Sequence, residues 1–345
     1  MIKKIIYTIL IILALLVIWQ YELVWYGIGQ GYGQLRIIYN ARPLQEYMAD
    51  PAFPDSLKRK LTLIQEIRKY AIDSLGINDS DNYTTVYDQK GKPVLWVVTA
   101  CEPYSLEPVE WKFPLLGAFT YKGFFEYGKA QKQEAELKKE GLDTEIDEVA
   151  GWSTLGWFKD PILTSMLERN EGQLANLIIH ELTHATLYIK NNVEYNENLA
   201  SFVGDHGAQQ FLMYKYGIDS REYRRYENGK YNREKYTAHI LRGADLLDSL
   251  YKNFTSTVTR ATKDTLKYHL IRKIMDTADT LTYAGVRSDT NRVVEKEEPL
   301  PNNTYFADFI RYRARQNQFE QEFRTKFKSD FKKYLAYLKQ TYRSL

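Results

Sequence analysis

His180 and His184 are four residues apart, with Glu181 directly after the first, in the run His180-Glu181-Leu182-Thr183-His184. Apolar residues surround this run from Leu174 to Tyr188 on a helical period, which predicts a mostly buried helix. On a helix, imidazoles at i and i+4 leave one face together and can bind one tetrahedral zinc ion. Glu181 is turned about 100° around the axis from His180. It therefore stands beside the metal without being a ligand, where a base for activating water is needed. The plainer alternative is a pair of core histidines in a helix-packing layer.

A third ligand is available thirteen residues past His184. A break at Lys190-Asn191-Asn192 is followed by Tyr195-Asn196-Glu197-Asn198-Leu199-Ala200-Ser201, which starts a second helix with Glu197 in its first turn. Ala200, Gly204 and Ala208 follow at steps of three or four. That stripe of small residues lets the second helix pack closely on the first and carry the Glu197 carboxylate to the zinc. The competing role for Glu197 is to favour the dipole at a helix N-terminus. His206, His239 and His269 have no helix-spaced partner and are expected to be surface or internally satisfied histidines. The single cysteine, Cys101, excludes an intramolecular disulfide and a cysteine-rich zinc module, so a metal site must use His and carboxylates.

The elements that must position these residues read as α+β, mostly helical. From Gln34 to Gly76 the pattern is helical, with a start signal at Pro54-Asp55. Thr84 to Tyr87, a turn at Gln89-Lys90-Gly91-Lys92, and Val94 to Thr99 predict a β-hairpin. Further strands are expected around Ala118 to Lys122, Glu145 to Val149 and Ser153 to Phe158, with a charged surface helix from Glu126 to Lys139. Two helices fill Glu171 to Lys215. Beyond Gly217 the expected helices are Ala238 to Tyr251, Thr262 to Leu281 and Tyr305 to Tyr342, with a polar loop between Gly285 and Asn303. In the last helix Phe319, Phe323, Phe327, Phe331 and Leu335 form a stripe that should face the core; binding of anionic lipid headgroups is the alternative.

An apolar share of 44% against 26% charged residues is that of a folded chain with a core. A net charge of +3 over 345 residues gives no argument for a nucleic-acid partner. Lys3 and Lys4 precede a run from Ile5 to Trp19 without a charged residue, the order of an export signal. No small-residue cleavage site follows, so residues 1–25 are expected to remain as a transmembrane anchor, with Trp25 and Tyr26 at the interface; a removed export peptide and a buried N-terminal core helix are the alternatives. This reading puts the chain in the cell envelope, held in the inner membrane with residues 26–345 on the exported side. Within that domain residues 26–160 contain a small mixed or antiparallel sheet, 161–216 the zinc helices and 217–345 a helical part.

The His180-Glu181-x-x-His184 run followed by Asn196-Glu197-x-x-Ala200 resembles the gluzincin metallopeptidases, the clan of thermolysin and the zinc aminopeptidases. More closely, Tyr32 to Gly207 resembles a family of bacterial envelope proteins described as "putative aminopeptidases". The landmarks are Tyr32-Gly33-Gln34-Leu35, Trp111-x-Phe113-Pro114, Tyr121-Lys122-Gly123-Phe124-Phe125, Ser153-Thr154-Leu155-Gly156-Trp157-Phe158, and Phe202-Val203-Gly204 at the end of the zinc helices. Asn302-Asn303 followed by Tyr305 to Tyr312 resembles a C-terminal landmark of that family. Two features depart from the pattern. There is no lipidation cysteine, and Ser201 stands where thermolysin-like enzymes place an Asp that orients a ligand histidine, leaving Asp205 as a substitute.

The resemblance implies a zinc peptidase in which Glu181 is the general base and a tyrosine, Tyr312 or else Tyr305, steadies the oxyanion. It also implies that the strand Ser153 to Phe158 offers an edge to extended peptide substrate, with an ordinary core strand as the alternative. Aminopeptidase action rests on the family name; the Gly-x-Met-Glu-Asn amine-binding motif of well-known zinc aminopeptidases is not evident, which leaves endopeptidase action open. The alternative function is a membrane-anchored binding or scaffold protein with a non-catalytic zinc site. The sequence leaves the oligomeric state open.

Overall fold

The helix α1 (Tyr21–Asn40) begins inside the segment expected to anchor the chain and runs on into the folded body as one element. The computed structural model describes residues 3, 4, 7, 15, 17–113, 117–149, 151, 154, 158–278, 280–284 and 299–344. Among these no helix is long and apolar enough to cross a membrane, so the expected transmembrane anchor over residues 1–25, and with it membrane attachment, is not supported. Most of the apolar run before Val17 lies outside the described residues. The physical reason lies in α1 itself. Tyr26, expected at a lipid interface, stacks on Phe113 with ring centroids 5.5 Å apart and donates a hydrogen bond to the Gly123 carbonyl at 3.0 Å. A turn from the end of the helix, Ile37 is fully buried.

Three small sheets follow. β1 (Arg42–Pro43) leads into α2 (Leu44–Ala49) and α3 (Asp55–Tyr70), which continues through a π-turn at Ala71–Leu75. β2 (Thr85–Tyr87) comes next, then β3 (Trp96–Cys101), β4 (Trp111–Phe113), β5 (Gly117–Phe119) and β6 (Lys122–Phe124). The charged segment forms α4 (Tyr127–Lys139), as expected, and is followed by β7 (Asp143–Glu148) and β8 (Ile162–Leu163). The expected hairpin does not form. Its first arm, β2, pairs antiparallel with β1 and parallel with β8, while its second arm, β3, is the centre of an antiparallel sheet ordered β6-β3-β7. A turn does close at Gln89 to Lys92, but the two arms take partners in different sheets. Of the strand expected over Ser153 to Phe158, residues 153 and 155–157 lie outside the described residues.

The helical part begins with α5 (Glu171–Thr186) and α6 (Val193–Tyr216), separated as the break at Lys190-Asn191-Asn192 predicts. Then come α7 (Arg221–Lys252) and α8 (Arg260–Ala278). The single helix expected from Tyr305 to Tyr342 is three: α9 (Asn303–Arg313), α10 (Gln316–Phe327) and α11 (Phe331–Thr341). Lys328 and Ser329 take left-handed backbone angles, φ 51° and 60°, which no helix can continue through. The aromatic stripe nevertheless faces inward. Phe319, Phe323, Phe331 and Leu335 are buried in the main core with Phe202, which settles its role as packing.

That main core gathers α3, α5, α6, α10 and α11; a second cluster joins α7, α8 and α9. A third fills the space between the sheet β6-β3-β7 and α4. With α4 covering one face of that sheet, the other face is free to look toward α5, α6 and α9. The mostly helical α+β reading therefore holds, and a cleft lies between sheet and helices.

Candidate metal centre

Helix α5 starts at a capping box: Gln173 N donates to Asn170 Oδ1 at 3.0 Å and Asn170 N to Gln173 Oε1 at 3.2 Å. This fixes the phase of the helix. Leu174, Ala175, Ile178, Ile179 and Leu182 then go to the core, and His180, Glu181 and His184 go to the cleft. The connection to α6 is closed by Asn196, whose side-chain amide accepts from Ile189 N and donates to Ile189 O, both at 2.8 Å. Along α6 the small residues do what their spacing predicts. Ala200 and Ala208 are fully buried, and a Cβ at Gly204 would stand 3.0 Å from the Asn176 carbonyl and 3.2 Å from His180 Cβ. The helices pack almost backbone to backbone there, which brings Glu197 to the histidines.

The result is a triangle of donor atoms. His180 Nε2 and His184 Nε2 are 3.2 Å apart, and Glu197 Oε2 lies 3.4 Å from the first and 3.3 Å from the second. Ligands set tetrahedrally about 2.0–2.1 Å from a zinc ion are separated by about 3.3–3.4 Å. Two imidazoles and one carboxylate are also a donor set that zinc accepts. The three residues thus fit one ion and could hold it. Burial opposes the charge on Glu197, but His184 and His180 outweigh it and hold the carboxyl well below the usual carboxylate range. Burial likewise opposes charging His184, and Glu197 prevails, raising the imidazole above its ordinary value.

Asp205 does not take the orienting role. Its carboxylate accepts from Asn176 Nδ2 at 2.8 Å and from the Tyr226 hydroxyl at 3.3 Å, and it pairs with Arg233 and Arg313. None of these is a ligand histidine, and His184 Nδ1 has no hydrogen-bond partner among the described residues. Asp205 instead ties α5, α6, α7 and α9 together behind the site.

Glu181 reaches into the cleft beside the triangle, under Gly151, and burial pushes its carboxyl upward against the pull of His180 and His184. Tyr312 lines the same cleft, and Glu197, followed by burial, holds its hydroxyl far above the ordinary phenol range. Tyr305 does not line it; its hydroxyl is 2.6 Å from that of Tyr236 in the second core. His206 meets Glu320 at 2.9 Å and stacks near Phe202, and His239 meets the Ile274 carbonyl at 2.8 Å. His239 is internally satisfied, as expected, whereas the approach of His206 leaves Glu320 Oε2 without a hydrogen bond among the described residues.

The cleft has a volume of about 570 Å³. Leu95, Val97 and Thr99 form its floor on the free face of the central sheet, and α9 closes it with Asp308, Arg311 and Tyr312, one turn of a single helix face. Sequence reasoning missed Asp147, Asp308 and Arg311. Asp147 and Asp308 lie 161 residues apart (308 − 147) in the chain, and only the packing of α9 on β7 makes them neighbours. The one available signal was Asn302-Asn303. Asn302 Nδ2 donates to the Thr144 carbonyl at 3.0 Å and Asn303 N to Asp143 Oδ2 at 3.0 Å, which moors the start of α9 on β7.

A protein-family model described as "Putative aminopeptidase" matches residues 25–344. No curated protein and no solved structure matches the chain.

Proposed function

Because the chain belongs to the family described as "Putative aminopeptidase", we propose that it is a zinc-dependent peptidase of gluzincin type that removes residues from the amino terminus of peptides. The observation that carries this reading is the triangle of His180, His184 and Glu197, with edges of 3.2–3.4 Å, sharing one cleft with Glu181.

His180 Nε2, His184 Nε2 and Glu197 Oε2 would hold the ion, which when bound supplies Lewis acidity toward the scissile carbonyl and makes water a better acid. Glu181 takes a proton from the attacking water onto its carboxylate and passes it to the nitrogen of the leaving amine. Its burial suits both steps, because a carboxyl pushed upward accepts and releases a proton more evenly near neutral pH. The Tyr312 hydroxyl donates a hydrogen bond to the carbonyl oxygen as negative charge gathers there. Beside Glu197 that hydroxyl stays protonated, and so stays a donor. Sheet floor and α9 together restrict water around these groups, which strengthens every charge-assisted contact among them.

The test uses protein purified without exposure to chelator. Zinc is measured by elemental analysis, and a mixed peptide library is incubated with the wild type and with Glu181→Gln. One zinc per chain, with stepwise amino-terminal trimming lost in the variant, supports the reading. Internal cleavage removes the exopeptidase part of it. A folded protein without zinc overturns it.

A further inference from the structure

One end of the cleft is acidic, and the water-activating chemistry does not use it. In the central sheet Val97 pairs with Asp147 and Thr99 with Glu145. Cross-strand partners share a face, so both carboxylates rise from the same floor as Thr99. From above, α9 lowers Asp308 onto them. One carboxylate oxygen from each of Glu145, Asp147 and Asp308 lies within 4.8 Å of the other two.

Their partners are few. The Thr304 hydroxyl donates to Glu145 Oε2 at 2.9 Å, and Arg311 Nη1 lies 2.7 Å from Asp308 Oδ1. No hydrogen bond or ion pair engages the Asp147 carboxylate among the described residues. Burial, with Glu145 next, pushes Asp147 up to about 6, and burial against the pull of Arg311 pushes Asp308 up to about 6. These are carboxyls that a cation would stabilise.

A second, independent observation points to a ligand. Thr99 is 2% exposed and lines the cleft, yet its Oγ1 has no hydrogen-bond partner among the described residues. Buried hydroxyls are ordinarily satisfied. This unsatisfied hydroxyl belongs to the sheet face that carries Glu145 and Asp147, which adds a third acceptor on that side of the cleft.

We propose that this acidic end receives the protonated α-amino group of a peptide, with Asp147 and Asp308 as ion-pair partners and Thr99 Oγ1 as the third acceptor. An ammonium carries one charge and three N–H donors, which matches the three acceptors. A divalent cation matches less well, because the Arg311 guanidinium on Asp308 would repel it about twice as strongly as a singly charged ammonium. The inference rests on the aminopeptidase reading and deepens it. A substrate held by its amino terminus at this end presents its first peptide bond to Glu181, and a blocked amino terminus leaves Asp147 without its partner.

Two measurements test it separately from that reading. Binding of leucylglycine and of N-acetyl-leucylglycine to the Glu181→Gln protein is followed by calorimetry, which needs no turnover. Hydrolysis of the same pair is followed in the wild type and in Asp147→Asn, with circular dichroism to confirm folding. The free amine should bind about 10- to 100-fold more tightly than the acetylated peptide. Asp147→Asn should remove most of that difference, raising KM for leucylglycine more than it lowers kcat. Cleavage of both peptides with equal efficiency overturns the inference and leaves the peptidase intact. Selective binding of the free amine without any hydrolysis supports the inference and sinks the peptidase. A second metal ion per chain that is lost in Asp147→Asn assigns the cluster to a metal and overturns the inference.

Discussion

The α-carbon of Gly151 lies against the carboxylate of Glu181, so close that a methyl group there would stand 2.3 Å from Oε1 and 2.9 Å from Leu177 Cδ1. Glycine is what leaves room for the proposed base. Gly151→Ala should push the carboxylate aside, and because the displaced atoms end flexible side chains, the fold gives way cheaply. A misplacement of about 1 Å at a reacting group costs about 100-fold in rate. The expected outcome is a kcat loss of about that size, with a change in stability below about 1 kcal/mol. Peptide hydrolysis and thermal unfolding, measured on the same preparation, check the two halves.

Glu197 closes a triangle that two histidines alone leave open. Replacing it by Gln removes the anionic ligand and should weaken zinc binding by at least about 100-fold, more than the 10- to 100-fold typical of groups one shell further out. A zinc titration against a competing chelator reads this directly. Chelator should also lower the melting temperature of the wild type, because an ion held at about 1,000 times its Kd adds about 4 kcal/mol to the folded state. Glu197→Gln should lose most of that chelator effect, keeping about 1 kcal/mol if binding weakens about 100-fold.

Helices α5 and α6 were legible because their information is local. Two histidines at i and i+4, a break at Asn191-Asn192 and the small residues Ala200, Gly204 and Ala208 all act within 29 residues (208 − 180 + 1). Partnerships made over long chain distances were not legible. β2 finds β8 some 75 residues downstream, so a turn at Gln89 to Lys92 that looks like a hairpin joins two different sheets. The same holds for the acidic end of the cleft, which exists only because Asn302 and Asn303 moor α9 on β7. The final helix was over-extended in part because its four-residue aromatic repeat, Phe319 to Leu335, survives the break near Lys328. The anchor expected over residues 1–25 is not supported among the described residues. Hydropathy describes composition, whereas Tyr26 and Ile37 are placed by what α1 packs against.

Asn198, the residue after Glu197, holds the end of α9 that carries Tyr312. Its Nδ2 donates to the carbonyls of Ile310 and Arg311 at 3.2 and 2.5 Å, and its Oδ1 accepts from Arg315 N at 2.8 Å. The side chain is fully buried, so without it the Arg311 carbonyl and Arg315 N lose this partner, while the Ile310 carbonyl keeps its bond from Ala314 N. Asn198→Ala should destabilise the protein by about 2–4 kcal/mol, the cost of leaving several buried polar groups unpaired. The end of α9 loosens with it, so kcat should fall while bound zinc stays at the wild-type level. Denaturant unfolding and metal analysis of the folded fraction separate these effects.

Asp147 gives stability a pH dependence whose sign follows from its raised carboxyl. In the unfolded chain the group titrates near its ordinary value of 3.8, and in the folded protein burial and Glu145 move it up to about 6. Between those values the folded state binds more protons than the unfolded one, so stability falls as pH rises through that window. Below about pH 4 both states are protonated and the carboxyl costs nothing. Asp147→Asn removes the charge and keeps the shape. It should leave the melting temperature unchanged at pH 4 and raise it at pH 8. A shift of about two units corresponds to about 3 kcal/mol at most, and solvent screening of a half-buried group reduces it to about 1 kcal/mol. In a chain of this size that is about 1–2 °C, within reach of differential scanning calorimetry. A variant that melts lower than the wild type at pH 8 would mean that the ionised carboxylate already has a favourable partner in the folded protein.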